Sequence, residues 1–200
     1  SDDLKLRNDA IELDGTVLYA DLAGSTNMVD DYKPEFAAEI YKAYLYCAAK
    51  IVRLHDGKIT AYDGDRIMSV FIGDFKNTSA AKCALKINWA VKKIIQPALD
   101  ECYPKANFRL RQSVGIDTSS LFVARTGIRG SNDLVWVGRA ANYAAKLSSL
   151  SSDYPSRITE DAYKKLADEA KYSDGKPMWK KVNWTDMGMT IYRSTWLWKI

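Results

Sequence analysis

One stretch decides the fold: Gly15-Thr16-Val17-Leu18-Tyr19-Ala20-Asp21-Leu22-Ala23-Gly24-Ser25-Thr26. Its first part is rich in apolar and β-branched residues, which favours a β-strand, and Asp21 interrupts this run near its end. The turn that follows consists of small residues, whose backbone N–H groups can face an anion. A carboxylate beside such a turn is the layout of a functional site.

A second carboxylate cluster lies in the stretch Ile59-Thr60-Ala61-Tyr62-Asp63-Gly64-Asp65-Arg66-Ile67-Met68-Ser69-Val70-Phe71. Two short apolar runs meet at Asp63-Gly64-Asp65, which predicts a hairpin because Asp-Gly supplies the positive φ angles of tight turns. If the first strand pairs beside this hairpin, Asp21 and Asp65 converge. Two carboxylates and a backbone carbonyl suit Mg²⁺ or Mn²⁺. Each feature alone also has a purely structural interpretation.

The third segment is a strand, a glycine and an alanine-rich helix, in the stretch Asp133-Leu134-Val135-Trp136-Val137-Gly138-Arg139-Ala140-Ala141-Asn142-Tyr143-Ala144-Ala145-Lys146-Leu147. Asn142 and Lys146 are four residues apart, so they share one face of the helix. The helix therefore presents an amide and a cation together.

With these three segments in order, the chain resembles the class III nucleotidyl cyclase family over roughly residues 13 to 198. That family has a first strand reading Asp-apolar-x-Gly-x-Thr, a hairpin with a Gly-Asp metal pair, and a helix reading Gly-x-x-x-Asn-x-Ala-x-basic. The matching residues here are Asp21, Leu22, Gly24 and Thr26; Gly64 and Asp65; and Gly138, Asn142, Ala144 and Lys146. The resemblance implies an α+β fold with a βαββαβ ferredoxin-like core and extra C-terminal strands.

Composition agrees with a single domain over residues 13–200, preceded by a short polar lead-in at residues 1–12. The chain has 200 residues, 47% of them hydrophobic, and a formal net charge of +4. Its lysines are dispersed along helices, which indicates solvated faces and no nucleic-acid partner. No apolar run approaches the ~18 residues of a membrane span, and the start lacks signal-peptide features, so we expect a cytoplasmic protein. Cys47, Cys83 and Cys102 suggest neither disulfides nor a zinc site.

The remaining elements follow from periodicity. Apolar residues at spacings of three and four predict a helix over Pro34 to Leu54. A second helix is expected from about Ser79 to Ala98, halted near Pro97. Two neighbouring strands are expected at 108–116 and 120–126, and a helix at 158–171 with Thr159 as its N-cap. The first strand is expected at about 15 to 22, and the last two strands lie around Val182-Asn183-Trp184 and Ile191 to Trp196.

The resemblance implies attack of a ribose 3′-hydroxyl on the α-phosphate of a nucleoside triphosphate, which releases pyrophosphate. Asp21 and Asp65 would bridge two Mg²⁺ or Mn²⁺ ions, with the Leu22 carbonyl on one of them. The N–H groups of Gly24, Ser25 and Thr26 would bind the β and γ phosphates. Asn142 would orient the ribose, and Lys146, where the family usually has arginine, would offset charge on the α-phosphoryl oxygens.

In this family the metal carboxylates and the Asn/basic pair come from opposite subunits. One chain that carries both halves therefore implies a homodimer with two equivalent sites. The family often has a lysine near the C-terminus that grips the triphosphate. Here Trp184-Thr185-Asp186-Met187 lies in that place, with Lys180 and Lys181 nearby, so the phosphate anchor is open.

The positions that read the base differ from those of purine cyclases. Adenylate cyclases carry Lys and Asp where this chain has Ala61 and Val135, and guanylate cyclases carry Glu and a small polar residue. Loss of both readers should remove purine preference. Tyr62 and Arg139 add bulk and donors that suit a pyrimidine. In this the chain resembles Pycsar-type pyrimidine cyclases of bacterial antiphage defence, whose cyclic UMP or cyclic CMP activates a separate effector.

Two other functions stay open at this point. One is an adenylate or guanylate cyclase with an unorthodox base pocket. The other is a non-catalytic nucleotide-binding regulatory module that kept the fold. Asp21, Asp65 and Asn142 argue against the second, and a panel of nucleotides would separate the first from a pyrimidine cyclase.

Overall fold

β1 (Ala10–Leu22) runs through the centre of an eight-stranded sheet in this computed structural model, which describes residues 9–128 and 131–200. The strand begins at Ala10, earlier than the sequence predicts, because its first residues pair in antiparallel register with β4 (Gln112–Ile128). Part of the expected lead-in is therefore strand, and residues 1–8 of that lead-in lie outside the described residues.

The sheet has the order β2-β3-β1-β4-β6-β10-β9, and β5 pairs with the second half of β4. These strands are β2 (Lys58–Asp63), β3 (Arg66–Phe71), β5 (Ser131–Val137), β6 (Ser156–Thr159), β9 (Lys180–Trp184) and β10 (Met189–Ser194). A separate small hairpin consists of β7 (Tyr172–Ser173) and β8 (Lys176–Pro177). The antiparallel set β2-β3-β1-β4 is the ferredoxin-like core that the sequence predicts, with strands added toward the C-terminus.

In the described part of the chain, seven α-helices connect or cover the strands: α1 (Ser25–Asp31), α2 (Pro34–Leu54), α3 (Lys76–Ala90), α4 (Gln96–Cys102), α5 (Arg139–Ser148), α6 (Glu160–Lys164) and α7 (Asp168–Lys171). The predicted bounds of α2 are confirmed, with Pro34 in its first turn. Its periodic apolar residues are buried, except that Leu54 at the end is 70% exposed and Cys47 is half-buried. No helix in the described ranges is long and apolar enough to cross a membrane.

The second predicted helix is longer than expected and does not stop at Pro97. It begins at Lys76, earlier than the predicted start at Ser79, and α3 passes through a π-helical stretch at Val91–Ile95 into α4. This change of backbone places Pro97 in the first turn of α4, where a residue without an N–H is tolerated.

Two other predictions of elements are wrong. The strands expected at 108–116 and 120–126 are one strand, β4, because β1 pairs with it from Gln112 to Ala124 and keeps the polar middle of β4 in the sheet. The helix expected at 158–171 is instead β6 followed by α6 and α7. The N-cap is confirmed, since the Thr159 side chain accepts a hydrogen bond from the Ala162 N–H.

The two faces of the sheet are covered differently. Leu18, Ala20 and Leu22 of β1 belong to the large core under α2 and α3. Val17 packs on the opposite face, against Ala140 and Ala144 of α5 among others. Because side chains alternate along a strand, Asp21 leaves β1 on the α5 face.

Candidate active site

Asp21 and Asp65 come together because β3 pairs with β1. Arg66, the residue after Asp65, is the register partner of Asp21. Burial raises the pKa of Asp21, the Arg66 guanidinium lowers it, and the Asp65 carboxylate raises it again. In the turn between β2 and β3, Gly64 has a φ of 58°, whereas Asp63 and Asp65 have negative φ angles. A single glycine therefore supplies the positive φ that the turn needs.

The two carboxylates have the features of a cation site. The Asp21 side chain is 15% exposed, and its Oδ2 lies 3.3 Å from Arg66 Nε. Asp65 Oδ2 is buried and has no hydrogen-bond partner among the described residues. A buried carboxylate oxygen without a partner is costly unless a cation satisfies it, so the pair fits a divalent ion. Leu22 is 5% exposed with its side chain in the core, so it could contribute only its backbone carbonyl.

Protein ligands at this site are few. The described residues hold no group of three or more His, Cys, Asp or Glu side chains that could bind a metal ion. Mg²⁺ and Mn²⁺ suit such a site because they commonly keep positions for water and for substrate phosphate. The carboxylates can thus bind a metal that is shared with a phosphorylated substrate.

The charges of Asp21 and Asp65 act on two tyrosines of α2, Tyr41 and Tyr44, which the sequence analysis did not name as site residues. Tyr44 is fully buried, and its hydroxyl has no hydrogen-bond partner in the described part of the chain. Burial raises the pKa of Tyr44 well above its usual value, and the charges of Asp21 and Asp65 raise it further. Burial raises the pKa of Tyr41, one turn earlier, and the charges of Asp65 and Asp21 raise it further, while a hydrogen bond with the Ser25 side chain lowers it. The helical period showed Tyr44 only as a core residue.

The turn after β1 leads directly into α1. Gly24 has a φ of 76° and is the N-cap of this helix, whose first residues are Ser25 and Thr26. The first N–H groups of a helix have no partner within it, so those of the Ser25-Thr26 segment can bind an anion. The Ala23 N–H donates to the Arg111 carbonyl over 2.9 Å, which ties the turn to the start of β4.

Asn142 and Lys146 lie on the exposed side of α5, one turn apart. Neither forms a hydrogen bond or an ion pair with Asp21 or Asp65 within the described residues. Lys146 Nζ lies 3.6 Å from the Met187 sulfur atom, in a cleft of about 430 Å³. A single chain thus presents the two halves of the expected site separately.

The residues expected to surround the base lie on β2 and β5. Ala61, Leu134 and Trp136 each pack against the buried cluster on the α5 face of the sheet. Tyr62 is 57% exposed, and Val135 is 39% exposed. Val135 lies on the side of β5 opposite to its neighbours Leu134 and Trp136, because side chains alternate along the strand. Neither Ala61 nor Val135 offers a polar side-chain group to a base.

The sequence predicts that Arg139 donates to the base, but in the structure two of its donor groups bind other residues of the chain. Its Nε donates to Asp117 Oδ2 over 3.1 Å, and its Nη2 donates to the Thr118 carbonyl over 2.9 Å. Nη2 also lies 2.7 Å from a carboxylate oxygen of Asp161. Asp117 is fully buried, and it also accepts a hydrogen bond from Thr159. The chain itself therefore uses the Nε and Nη2 donors of Arg139, and Tyr62 is left as the exposed candidate for base contact.

Comparison with known proteins identifies relatives over almost the whole chain. The chain is 64% identical to a protein from Xanthomonas perforans named uridylate cyclase, over 98% of this chain and 85% of that protein. It is 58% identical to a Burkholderia cepacia protein of the same name, over 100% of this chain and 87% of the relative. No protein-family model matches.

Solved structures share the fold at low sequence identity. The guanylyl cyclase Cya2 superposes with a TM-score of 0.78 at 18% identity, over 94% of this chain and 95% of the other. The adenylyl cyclase CyaB from P. aeruginosa gives a TM-score of 0.72 at 20% identity, over 93% and 95% of the two chains. From its relatives and its fold, this chain belongs to the class III nucleotidyl cyclase family, in the group that includes the proteins named uridylate cyclase, and it is a nucleotidyl cyclase.

Proposed function

We propose that this enzyme cyclises a pyrimidine nucleoside triphosphate, with UTP preferred and CTP second, to the 3′,5′-cyclic monophosphate and pyrophosphate. The observation that carries the proposal is the apolar character of Ala61 and Val135, the positions where purine cyclases place polar readers of the base. A site without those partners gives a purine edge nothing to pair with. The names of the relatives at 64% and 58% identity support the same choice.

Asp21 and Asp65, with the Leu22 carbonyl, would hold two Mn²⁺ or Mg²⁺ ions per site. The unpartnered oxygen of Asp65 and the mutual repulsion of the two carboxylates support this assignment. When bound, the ions supply activation of the 3′-oxygen and neutralisation of phosphate charge.

The other residues bind and orient the substrate. The N–H groups at Gly24, Ser25 and Thr26 bind the β and γ phosphates at the start of α1. Asn142 orients the ribose, and the Lys146 ammonium group offsets negative charge on the α-phosphoryl oxygens. These roles need no covalent step by the protein, because phosphoryl transfer depends mainly on positioning and on charge stabilisation.

We further propose that the active enzyme is a homodimer with two equivalent sites. Asp21 and Asp65 of one protomer would face Asn142 and Lys146 of its partner. This arrangement is supported by the exposure of Asn142 and Lys146 and by the lack of contact between the two halves within the described residues of one chain. An isologous interface then completes both sites at once.

The product would act as a second messenger. Because catalysis and response reside in different proteins in Pycsar-type defence, a separate effector would bind the cyclic nucleotide. We place this enzyme in bacterial antiphage defence, acting in the cytoplasm, on its resemblance to that group.

One experiment tests substrate class and activity together. The purified full chain is incubated with each of the four ribonucleoside triphosphates and Mn²⁺, and the products are identified by mass. We expect cyclic UMP as the main product, then cyclic CMP, with little cyclic AMP or cyclic GMP. Preference for ATP or GTP would establish a purine cyclase with an altered pocket. Tight nucleotide binding without any cyclic product would instead establish a non-catalytic module.

A further inference from the structure

We infer that Arg157 is a positioning residue of the active site, which holds the end of α5 on the sheet through the loop that follows this helix. The inference rests on the proposed function, since it assumes that Asn142 and Lys146 of α5 act on the substrate. Arg157 forms no hydrogen bond with either of these side chains within the described residues. It acts through the position of the helix that carries them.

Arg157 lies in β6, on the face of the sheet that α5 covers. Its neighbour Ile158 belongs to the large core under α2 and α3, and side chains alternate along a strand, so Arg157 projects from the opposite face. The register partner of Arg157 in β4 is Gly115, whose Cα lies against the backbone of α5. Arg157 is therefore placed beside the point where α5 meets the sheet.

The guanidinium group of Arg157 joins two parts of the molecule. Its Nη1 donates to Ser113 Oγ over 3.2 Å, and Ser113 is the register partner of Asp21 in β1. Its Nη2 donates to the carbonyl oxygen of Ser151, in the loop after the end of α5 at Ser148. The planar fork of arginine directs two donors at two elements at once, which the single ammonium group of lysine does not reproduce.

The loop after α5 has few other hydrogen bonds to the sheet. The Pro155 carbonyl oxygen accepts from the Val114 N–H over 2.8 Å, which fastens the end of the loop next to β6. Among the described residues, the bond from Arg157 is the one hydrogen bond that joins residues 149–153 to the sheet. Loss of this bond therefore releases the part of the loop next to α5, while the part next to β6 stays attached.

The charge of Arg157 is buried without a charged partner. The residue is 4% exposed, and it has no ion pair with a carboxylate in the described part of the chain. Its register partner in β10 is a second cation, Arg193, whose Cζ lies 3.7 Å from the centroid of the Tyr154 ring. Burial and the charge of Arg193 lower the pKa of Arg157 to about 10, so the group stays protonated at neutral pH. A buried charge that is compensated only by neutral oxygens is unfavourable for stability, which indicates a role of this arginine other than stabilisation.

The first test compares Arg157→Met and Arg157→Lys with Arg193→Met in the full-length enzyme, with the nucleotide that the parent cyclises best. Arg157→Met removes both hydrogen bonds and the buried charge, and it keeps a long apolar side chain. We expect its kcat to fall roughly 10- to 100-fold and its KM to stay within about threefold of the parent, because Asn142 and Lys146 act mainly in the transition state. Arg157→Lys should recover part of kcat, since it keeps one donor group.

Arg193→Met is the matched control, because it removes the neighbouring cation but neither of the bonds to Ser113 and Ser151. Its kcat should stay within about twofold of the parent. The thermal midpoint of Arg157→Met should change by less than about 4 °C, because the variant also removes an uncompensated buried charge. Equal losses of kcat in Arg157→Met and Arg193→Met would overturn the inference. So would a loss that appears only together with a lowered thermal midpoint in both Arg157 variants.

A second experiment identifies the half of the site that Arg157 positions. In mixtures of Asp21→Ala and Asn142→Ala chains, the complete site takes its α5 from the Asp21→Ala chain. Arg157→Met added to that chain should lower the regained activity by the same factor as kcat in the single variant. The same change added to the Asn142→Ala chain should alter the activity less than about twofold. Equal losses in the two arrangements would contradict a role through α5.

The outcomes separate this inference from the proposed function. A parent that makes cyclic nucleotide, together with full activity in Arg157→Met, refutes the positioning role alone. Mixtures that exchange subunits and stay inactive before Arg157 is changed refute the shared site, and the kcat values of the single variants then decide on Arg157. A parent without cyclase activity refutes the proposed function and this inference with it.

Discussion

Gly115 of β4 lies directly against Ala144 of α5: a Cβ atom on Gly115 would stand 2.1 Å from the Ala144 carbonyl oxygen. The same atom would lie 2.6 Å from the Ser148 nitrogen, so the obstacle is the helix backbone itself. This close approach seats α5 on the sheet. Since α5 carries Asn142 and Lys146, Gly115 sets the height of both side chains above the sheet.

Gly115→Ala should therefore damage both stability and activity. The added methyl group must push α5 away, and overpacking of this kind costs about 1 to 3 kcal/mol. A displacement of about 1 Å at Asn142 is enough to lower kcat/KM roughly 100-fold. Urea unfolding gives the first quantity, and initial rates with UTP give the second.

Gly15→Ala is the matched control for this substitution. Its Cβ would lie 2.8 Å from Leu121 Cδ1 and 3.2 Å from Leu13 Cδ1, the ends of flexible side chains. These side chains can rotate away, so the variant should lose less stability and keep most of its activity. Equal losses in the two variants would contradict the expectation that contact with the helix backbone makes Gly115 less tolerant of a methyl group than Gly15.

The sequence predicted those parts of the fold in which local pattern and tertiary pairing agree. The helix from Pro34 to Leu54 is such a case, because its apolar spacing and its N-terminal proline both favour the observed bounds. β4 is the opposite case. Its middle contains Asp117 and neighbouring polar residues, a composition that is typical of a turn. In the structure β1 pairs with this segment, and Asp117 accepts hydrogen bonds from Arg139 and Thr159. Such long-range partners are invisible in a local pattern.

The metal carboxylates give a second prediction. Asp65→Asn should lower cyclase activity at least about 100-fold while the far-UV circular dichroism spectrum stays that of the parent, because the amide keeps the size of the side chain but loses the charge that would bind the ions. Asp63→Asn is the control. Asp63 is an exposed carboxylate in the same hairpin, so the Asp63→Asn variant should retain activity. A folded Asp65→Asn enzyme within tenfold of the parent would refute the metal assignment.

What the sequence could show of the candidate site also had a physical limit. Asp21 and Asp65 could be placed together because one strand and one hairpin are enough to pair them. Tyr44 could not be assigned, since its role depends on which side of α2 faces the end of β1.

Assembly gives a third prediction. Asp21→Ala and Asn142→Ala chains should each be inactive alone, and a mixture of them should regain activity, because a mixed dimer has one site in which both halves are intact. With random exchange, half of the dimers are mixed, and each mixed dimer has one intact site out of two. About a quarter of the parent activity is therefore expected. Mass spectrometry of isotope-labelled chains shows whether exchange occurred. A mixture that exchanges subunits and stays inactive would contradict the shared-site arrangement.

The last prediction concerns the base and separates Tyr62 from Arg139. Tyr62 is exposed beside Ala61, so Tyr62→Ala should reduce the ratio of kcat/KM for UTP over ATP by at least about tenfold, the range that size alone can give. Tyr62→Phe keeps the ring and removes the hydroxyl, so it shows whether side-chain volume or a hydrogen bond determines the preference for UTP.

Arg139 is bound to the buried Asp117, so Arg139→Ala should lower kcat/KM for all four nucleotides alike and should lower the thermal midpoint. If that variant does not fold, Arg139→Lys keeps a cation near Asp117 and serves in its place. A change in base preference in the Arg139 variant, with unchanged stability, would restore this residue to the base pocket.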